Sequence, residues 1–311
     1  MPFRRWGASP QGVRALLRAT YSDPMSSAHD ALSALVALPG VREGMDRARE
    51  ACTTLRWHEG LRRRTPEAAA ESRVRGATAS ALLEGAEPAG SDGSLAVVRD
   101  LMRGALADSD HDDPVWRTVR AAARVTARTE RVTLAELAAP AQLLAGLHTA
   151  AAAGLVPQEE VGRPRGTAEA AEGVAVLGPA PEAAEATARL EAVHGLLREV
   201  PGGRLPALLV VAVAHAEIAV ARPFVVGNGL VARALERTVL RVSGVDPTGV
   251  AVPEHGHADR VGTDYRGALA AYASGDPDGV RLWLEHCTEA VVRGAAEGGR
   301  VADAVHAGRL G

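Results

Sequence analysis

One stretch constrains the fold more than any other: "LPALLVVAVAHAEIAVARPFVVGNGLVARALERTVLRVSG", residues 205–244. An apolar segment opens at Pro206, carries His215 and Glu217, meets Pro223, crosses Gly-Asn-Gly and resumes as an arginine-bearing helix. The first helix cannot comfortably pass Ala221, because Pro223 removes a donor and pushes Arg222 out of the helical region. Phe224 is expected to anchor the connection in the core. Gly227, Asn228 and Gly229 allow the positive φ angles and close backbone approach that an anion-binding nest requires. The next helix presents Val231, Leu235, Val239 and Val242 on one face, and its free N–H groups and positive dipole end point back at the turn. Arg233 lies about a turn inside and leans toward that end. Taken alone, the turn is weak evidence and reads first as a glycine-assisted loop between two core helices, with Arg233 on a solvated face.

The rest of the chain favours helices around this pair. Of 311 residues, 47% are apolar but only 3% aromatic, so alanine, valine and leucine supply the core, a bias toward helices packed by small side chains. That length holds one large domain or two small ones. The net charge of −3 offers no bulk attraction for nucleic acid. No lysine occurs, which excludes a lysine nucleophile, a Schiff base or a P-loop lysine. Cys52 and Cys287 lie far apart and suggest neither a disulfide framework nor a zinc site. The N-terminus lacks the apolar core of a signal peptide, and the longest apolar run is too short to span a bilayer. A cytoplasmic protein without a membrane partner is expected.

Along the chain, "SPQGVRALLRAT", "SSAHDALSALVAL" and the segment from Val41 through "LRWHEGLRRR" read as helices. "TPEAAAESRVRGATASALLEGAEP" starts as a helix, with Thr65 as cap and Pro66 first inside, and stops at Gly85. Further helical patterns cover about 94–107, 114–129, 134–153, 181–200 and 206–220, followed by "TDYRGALAAYASG" and "GVRLWLEHCTEAVVRGAAEG". The acidic "DSDHDDPV" reads as a solvated loop and helix cap rather than a metal cluster. Between Gly154 and Pro181, glycines, prolines and short valine runs suit a small hairpin or extended flap. His255 and His257 fall in the loop "DPTGVAVPEHGHADRVG".

The order of features from Ala214 to Arg233 resembles the signature of the Fic (Fido) domain family: His-Pro-Phe, a spacer, an acidic residue, Gly-Asn-Gly-Arg, two residues, Arg. Upstream, Ser80, Glu84 and Gly85 match the spacing of that family's inhibitory helix. "VGRPRG" lies where the family has its target-docking flap, and the two C-terminal helical patterns are similar to its closing helices. The resemblance spans about residues 66–300. It implies a mainly all-α fold, a Fic-type helical bundle with a small β-hairpin flap at about 155–180. The inhibitory helix would cover about 66–85 and the motif 222–233. Residues 65–311 would form the Fic/Fido domain and residues 1–64 a helical extension. The family mostly transfers AMP from ATP to a protein hydroxyl. A motif histidine serves as base, the acidic residue holds Mg²⁺, and the nest and arginines hold phosphates.

Three positions depart from that pattern. Arg222 stands where the base would be, and a guanidinium has no acceptor lone pair. Loss of a positioned base forfeits about 10²–10⁴ in rate. His215 lies seven residues upstream, roughly 10 Å along a helix axis, too far to replace it. Val226 stands at the metal-ligand position and offers Mg²⁺ no oxygen, so no metal site is expected. Leu230 replaces the first arginine. Phe224, Gly227, Asn228, Gly229 and Arg233 persist, as do Ser80, Glu84 and Gly85. The expected outcome is an impaired relative that binds ATP or another nucleotide without Mg²⁺, or a protein partner; the alternative is a transferase with a non-standard base. Arg222 either adds charge beside the nest, points to solvent, or pairs with Glu217. Glu84 reads either as an ordinary solvated helix-end glutamate or, as the family spacing implies, as the partner of Arg233, steadied by Ser80 one turn earlier.

Overall fold

The structure, a computed structural model, describes residues 32–87, 91–106 and 113–309. The expected helix "SPQGVRALLRAT", the first part of "SSAHDALSALVAL" and residues 108–112 of the acidic segment lie outside the described residues. The described α-helices are α1 (Val41–Arg56), α2 (Thr65–Leu83), α3 (Ser91–Arg103), α4 (Pro114–Arg128), α5 (Pro140–Ala152) and α6 (Ala183–Glu199). They continue as α7 (Ala207–Ala221), α8 (Asn228–Val242), α9 (Pro253–His257), α10 (Thr263–Ser274) and α11 (Pro277–His306). None of the described helices is long and apolar enough to cross a membrane.

Helix α7 is the axis of the bundle. Every residue from Leu208 to Ala221 is buried, as a helix apolar on all sides must be in water. Helices α6, α8, α10 and α11 pack around it. The buried Trp283 of α11 donates its indole N–H to the Ala212 carbonyl in the middle of α7, 2.8 Å away. Helix α1 runs along α11, and α2 lies between α4, α9 and α11. Close backbone approach depends on glycine where α9 meets α11: a Cβ on Gly256 would lie 2.1 Å from the Ala290 carbonyl oxygen.

Several boundaries differ from the sequence reading for local reasons. Thr65 is the first residue of α2 rather than its cap, and its hydroxyl donates to the Leu61 carbonyl at 3.0 Å. The 134–153 pattern splits at Pro140 into a short 3₁₀ turn and α5, because proline cannot donate the bond that would continue the turn. His255 and His257 sit on the short helix α9 rather than in a loop.

The flap departs most. Among its described residues there is no strand ladder, only isolated bridges from Val156 back to Ala153 and between Val174 and Gly178, and the 3₁₀ turns Gln158–Glu160 and Ala175–Leu177. In place of a hairpin, the segment pairs with the turn after α7. The Arg165 N–H donates to the Pro223 carbonyl (2.8 Å), and the Glu172 N–H donates to the Val225 carbonyl (2.7 Å). Donors that a hairpin would use internally are spent on the body of the protein.

Candidate functional site

Helix α7 ends at Arg222 in the left-handed conformation (φ 48°, ψ 61°), and α8 starts after Gly227, also left-handed at φ 74°. Between them Asn228 closes the loop on itself. Its side-chain oxygen accepts from the Phe224 N–H (3.0 Å), and its amide donates back to the Phe224 carbonyl (2.9 Å). Phe224 is buried, as expected of an anchor, and stacks on His148 of α5 with ring centres 4.1 Å apart. Burial pushes the His148 imidazole down to about 4, against the Val226 backbone. With the loop held this way, the successive N–H groups of Gly227 and Asn228 converge on one point.

That point holds a carboxylate from the protein itself. Glu172 of the flap accepts from the Gly227 N–H (2.9 Å) with one oxygen. With the other it accepts from the Asn228 N–H (2.9 Å) and the Asn228 amide (2.8 Å). Three donors on one carboxylate are the contact set an oxyanion makes at a helix N-terminus. Burial first, and then the neighbouring Glu84 charge, raise the Glu172 carboxyl above its ordinary range, against these three bonds.

Arg222 is buried, with 1% of its surface exposed, so it points neither to solvent nor toward Glu217. Glu217 is engaged by Arg189 (2.6 Å) and by the Tyr272 hydroxyl (2.6 Å). The Arg222 guanidinium reaches the flap backbone, donating to the Gly178 carbonyl at 2.9 Å and, less closely, to that of Glu172 at 3.4 Å. Arg165 ties the other side, donating through Nε to the Arg222 carbonyl at 2.9 Å. The Val226 side chain offers no oxygen, and the Glu172 carboxylate is committed to three N–H donors. The residues present therefore do not fit a Mg²⁺ ion at the motif's acidic position. Leu230 is buried in the core.

On the other side of the turn, Arg233 is buried and fully engaged. Its Nε donates to the Ser80 hydroxyl (2.8 Å), one Nη to the Tyr265 hydroxyl (3.3 Å), and the other to Glu84 and the Ser80 carbonyl. Burial alone would lower this guanidinium, yet Glu84, followed by Tyr265, raises it above its usual range. Glu84 owes its position to the end of α2. Gly85 is left-handed (φ 77°), the Ala86 N–H reaches back to the Ala81 carbonyl (2.9 Å), and the Gly85 N–H to that of Leu82 (2.9 Å). This Schellman closure sets Glu84 down over the N-terminus of α8.

Behind Arg233 lies a buried polar chain that links residues scattered through the sequence. Tyr265 stands 3.0 Å from His215 Nε2, and Glu236 lies 2.8 Å from His215 Nδ1 and 2.7 Å from His257 Nε2. Burial lowers His215 to about 4, so at neutral pH it carries one proton. That proton goes to Glu236, which leaves Nε2 to accept from the Tyr265 hydroxyl, and Tyr265 in turn accepts from Arg233. His215, Glu236 and His257 lie close enough to hold a cation, but this pattern of donors and acceptors already completes Glu236 and His215. His215 and His257 are buried in this network, and His255 is an exposed residue near Glu297, so none of the three faces the turn as a free base.

The structure thus brings together Phe224, Gly227, Asn228, Gly229 and Arg233 with Ser80, Glu84 and Gly85. It adds Glu172, Arg165, Tyr265 and Glu236. Tyr265 leads its helix in the sequence, but nothing local marks Glu172 among the alanines and glycines of its segment.

A mainly helical bundle around a buried axial helix, with a glycine turn feeding the N-terminus of the next helix, is the architecture this geometry defines. It is the Fic-domain fold. A Fic family protein from Desulfovibrio desulfuricans G20 matches with a TM-score of 0.62 at 22% identity, over 83% of this chain and 74% of that one. A fragment of Fic-1 from C. elegans matches with a TM-score of 0.57 at 16% identity, over 92% and 81%. A Fic domain containing signaling protein from Bacteroides thetaiotaomicron VPI-5482 matches at 0.56 and 12% identity, over 84% and 98%. No protein-family model and no curated protein matches the chain.

Proposed function

We propose that this protein is a catalytically impaired Fic-type chain, a regulatory pseudoenzyme. Its turn binds a phosphate-bearing ligand, a nucleotide such as ATP or a fragment of one, without Mg²⁺ and without transferring AMP. One observation carries the reading. The side chain at the base position is a buried guanidinium held by two flap carbonyls, and it has no lone pair with which to take a proton. The missing side-chain carboxylate at Val226 and the burial of His215 and His257 support it further. The intact Gly227–Asn228 donors and the Ser80–Glu84–Arg233 cluster support retention of an anion site under an inhibitory helix.

The test is incubation with labelled ATP and a cell extract, comparing the wild type with Arg222→His/Val226→Asp/Leu230→Arg in a Glu84→Ala background. Label on protein only with the restored variant is the expected result. Label transfer by the unrestored Glu84→Ala protein would establish the second reading, a transferase with a non-standard base. Calorimetric titration with ATP, with and without Mg²⁺, tests the binding half. The expected result is weak binding indifferent to Mg²⁺.

A further inference from the structure

The flap segment has no hairpin of its own, yet its path is closely specified. Arg165 and Glu172 donate backbone N–H groups to the carbonyls of Pro223 and Val225, and the Arg222 guanidinium returns bonds to Glu172 and Gly178. These contacts position the Glu172 side chain over the turn, where both its oxygens are used by the Gly227 and Asn228 donors. A surface glutamate gains little from such placement, because water offers equal bonds without the desolvation. Here the bonds come from two successive main-chain N–H groups and an amide already fixed by Phe224, a preorganised cradle that costs nothing further to order. The groups facing the carboxylate are Asn228 and the two N–H donors, with the Arg222 guanidinium bonded to the backbone of the same residue and the Glu84 charge beyond.

We propose that the Gly227–Asn228 nest is a carboxylate site whose resident ligand is Glu172, so that the flap is latched to the turn by its own side chain and an external oxyanion enters only when that side chain leaves. The entry of a phosphate rests on the reading under Proposed function; the latch does not. The protein then carries two internal carboxylates against one site. Glu84 holds Arg233 on the α2 side, and Glu172 fills the main-chain donors on the flap side. Both must move before a phosphate could touch the groups that would bind it. Because Glu172 bonds through geometry that serves any planar or tetrahedral oxyanion, inorganic pyrophosphate is a sufficient probe for the competition.

The experiment is hydrogen exchange by mass spectrometry on the full chain, wild type against Glu172→Gln and Glu172→Ala, with pyrophosphate titrated into each. Glu172→Gln keeps the shape but turns an N–H group toward one of the two main-chain donors, since only one of its side-chain atoms can still accept. Exchange across residues 165–178 should speed at least tenfold in both variants, while α7 and α8 keep wild-type protection, which also certifies that the variants are folded. Flap exchange unchanged in both variants would overturn the latch. A second measurement needs no variant. Saturating pyrophosphate should speed flap exchange in the wild type and bind Glu172→Ala at least tenfold more tightly. Equal, measurable affinity for wild type and Glu172→Ala would overturn the resident-ligand assignment. A faster flap with no pyrophosphate binding to any form would uphold the latch and defeat the phosphate reading of the preceding section.

Discussion

Gly229 and Glu84 meet with no room for a methyl group between them: a Cβ on Gly229 would lie 2.3 Å from the Glu84 Oε1 atom and 3.1 Å from an Arg233 nitrogen. Gly229 is helical, so it is not required here for its backbone freedom. It is required because the Glu84 carboxylate, at the end of α2, lies against it while reaching Arg233.

That contact predicts a coupled pair. Gly229→Ala alone should cost about 1–3 kcal/mol, because the added methyl displaces Glu84 from Arg233. Glu84→Ala alone should cost about 1–3 kcal/mol. Arg233 loses its carboxylate but keeps Ser80 and Tyr265, and the partial exposure of Glu84 moderates the loss. In the Glu84→Ala background, Gly229→Ala should be neutral or stabilising, through the roughly 1 kcal/mol helical advantage of alanine. Urea denaturation of the four proteins measures the cycle, and additivity within about 0.5 kcal/mol would refute the contact.

Tyr265→Phe should destabilise the fold by about 2–4 kcal/mol, since it leaves both His215 Nε2 and one Arg233 nitrogen unpaired in the core. A change below about 0.5 kcal/mol in chemical denaturation would mean that these bonds do not form as described.

Stability should fall in mild acid. His148 and His215 are lowered to about 4 and His286 to about 3, chiefly by burial, from an ordinary 6.5. Between those values and 6.5 the unfolded chain binds protons that the folded chain refuses, so stability rises with pH across the window and is lost as pH falls through it. Each group contributes a slope of up to about 1.4 kcal/mol per pH unit. Glu172, raised above its ordinary range, acts in the opposite sense. Denaturation midpoints at pH 7, 6, 5 and 4.5 should decline progressively; a flat profile would contradict neutral buried imidazoles.

Gly256→Ala should cost about 1–3 kcal/mol or more, because the methyl would strike the Ala290 carbonyl oxygen and Cα, which are backbone atoms that cannot rotate aside. Gly267→Ala, on an exposed helical position with nothing within 4 Å, should be neutral or stabilising by up to about 1 kcal/mol. Thermal denaturation of the two side by side separates close helix packing from backbone entropy.

Much of this molecule could be read in one dimension. The end of α7 at Ala221, the start of α8 at the Gly-Asn-Gly turn and the stop of α2 before Gly85 follow from proline and glycine acting on their immediate neighbours. The pairing of Glu84 with Arg233 was readable as well, but only through a spacing shared with Fic proteins; no local rule joins residues so far apart. The hairpin expected at 155–180 failed because local composition marks an extended segment without saying what that segment pairs with. In the folded protein its partner is the Pro223–Val225 backbone, not a second strand.

What the chain settled by itself is therefore whatever short-range sterics and hydrophobic pattern settle: the helices, the buried axis and a turn with two free N–H donors. What the tertiary structure alone decided is who answers those donors. Glu172 reaches them only because Arg165 and Arg222 register the flap against the turn, and Tyr265, His215 and Glu236 align behind Arg233 only once α7, α8 and α10 have packed. Hydrogen-bond partners of buried charges are chosen by proximity in space, which the order of residues does not contain.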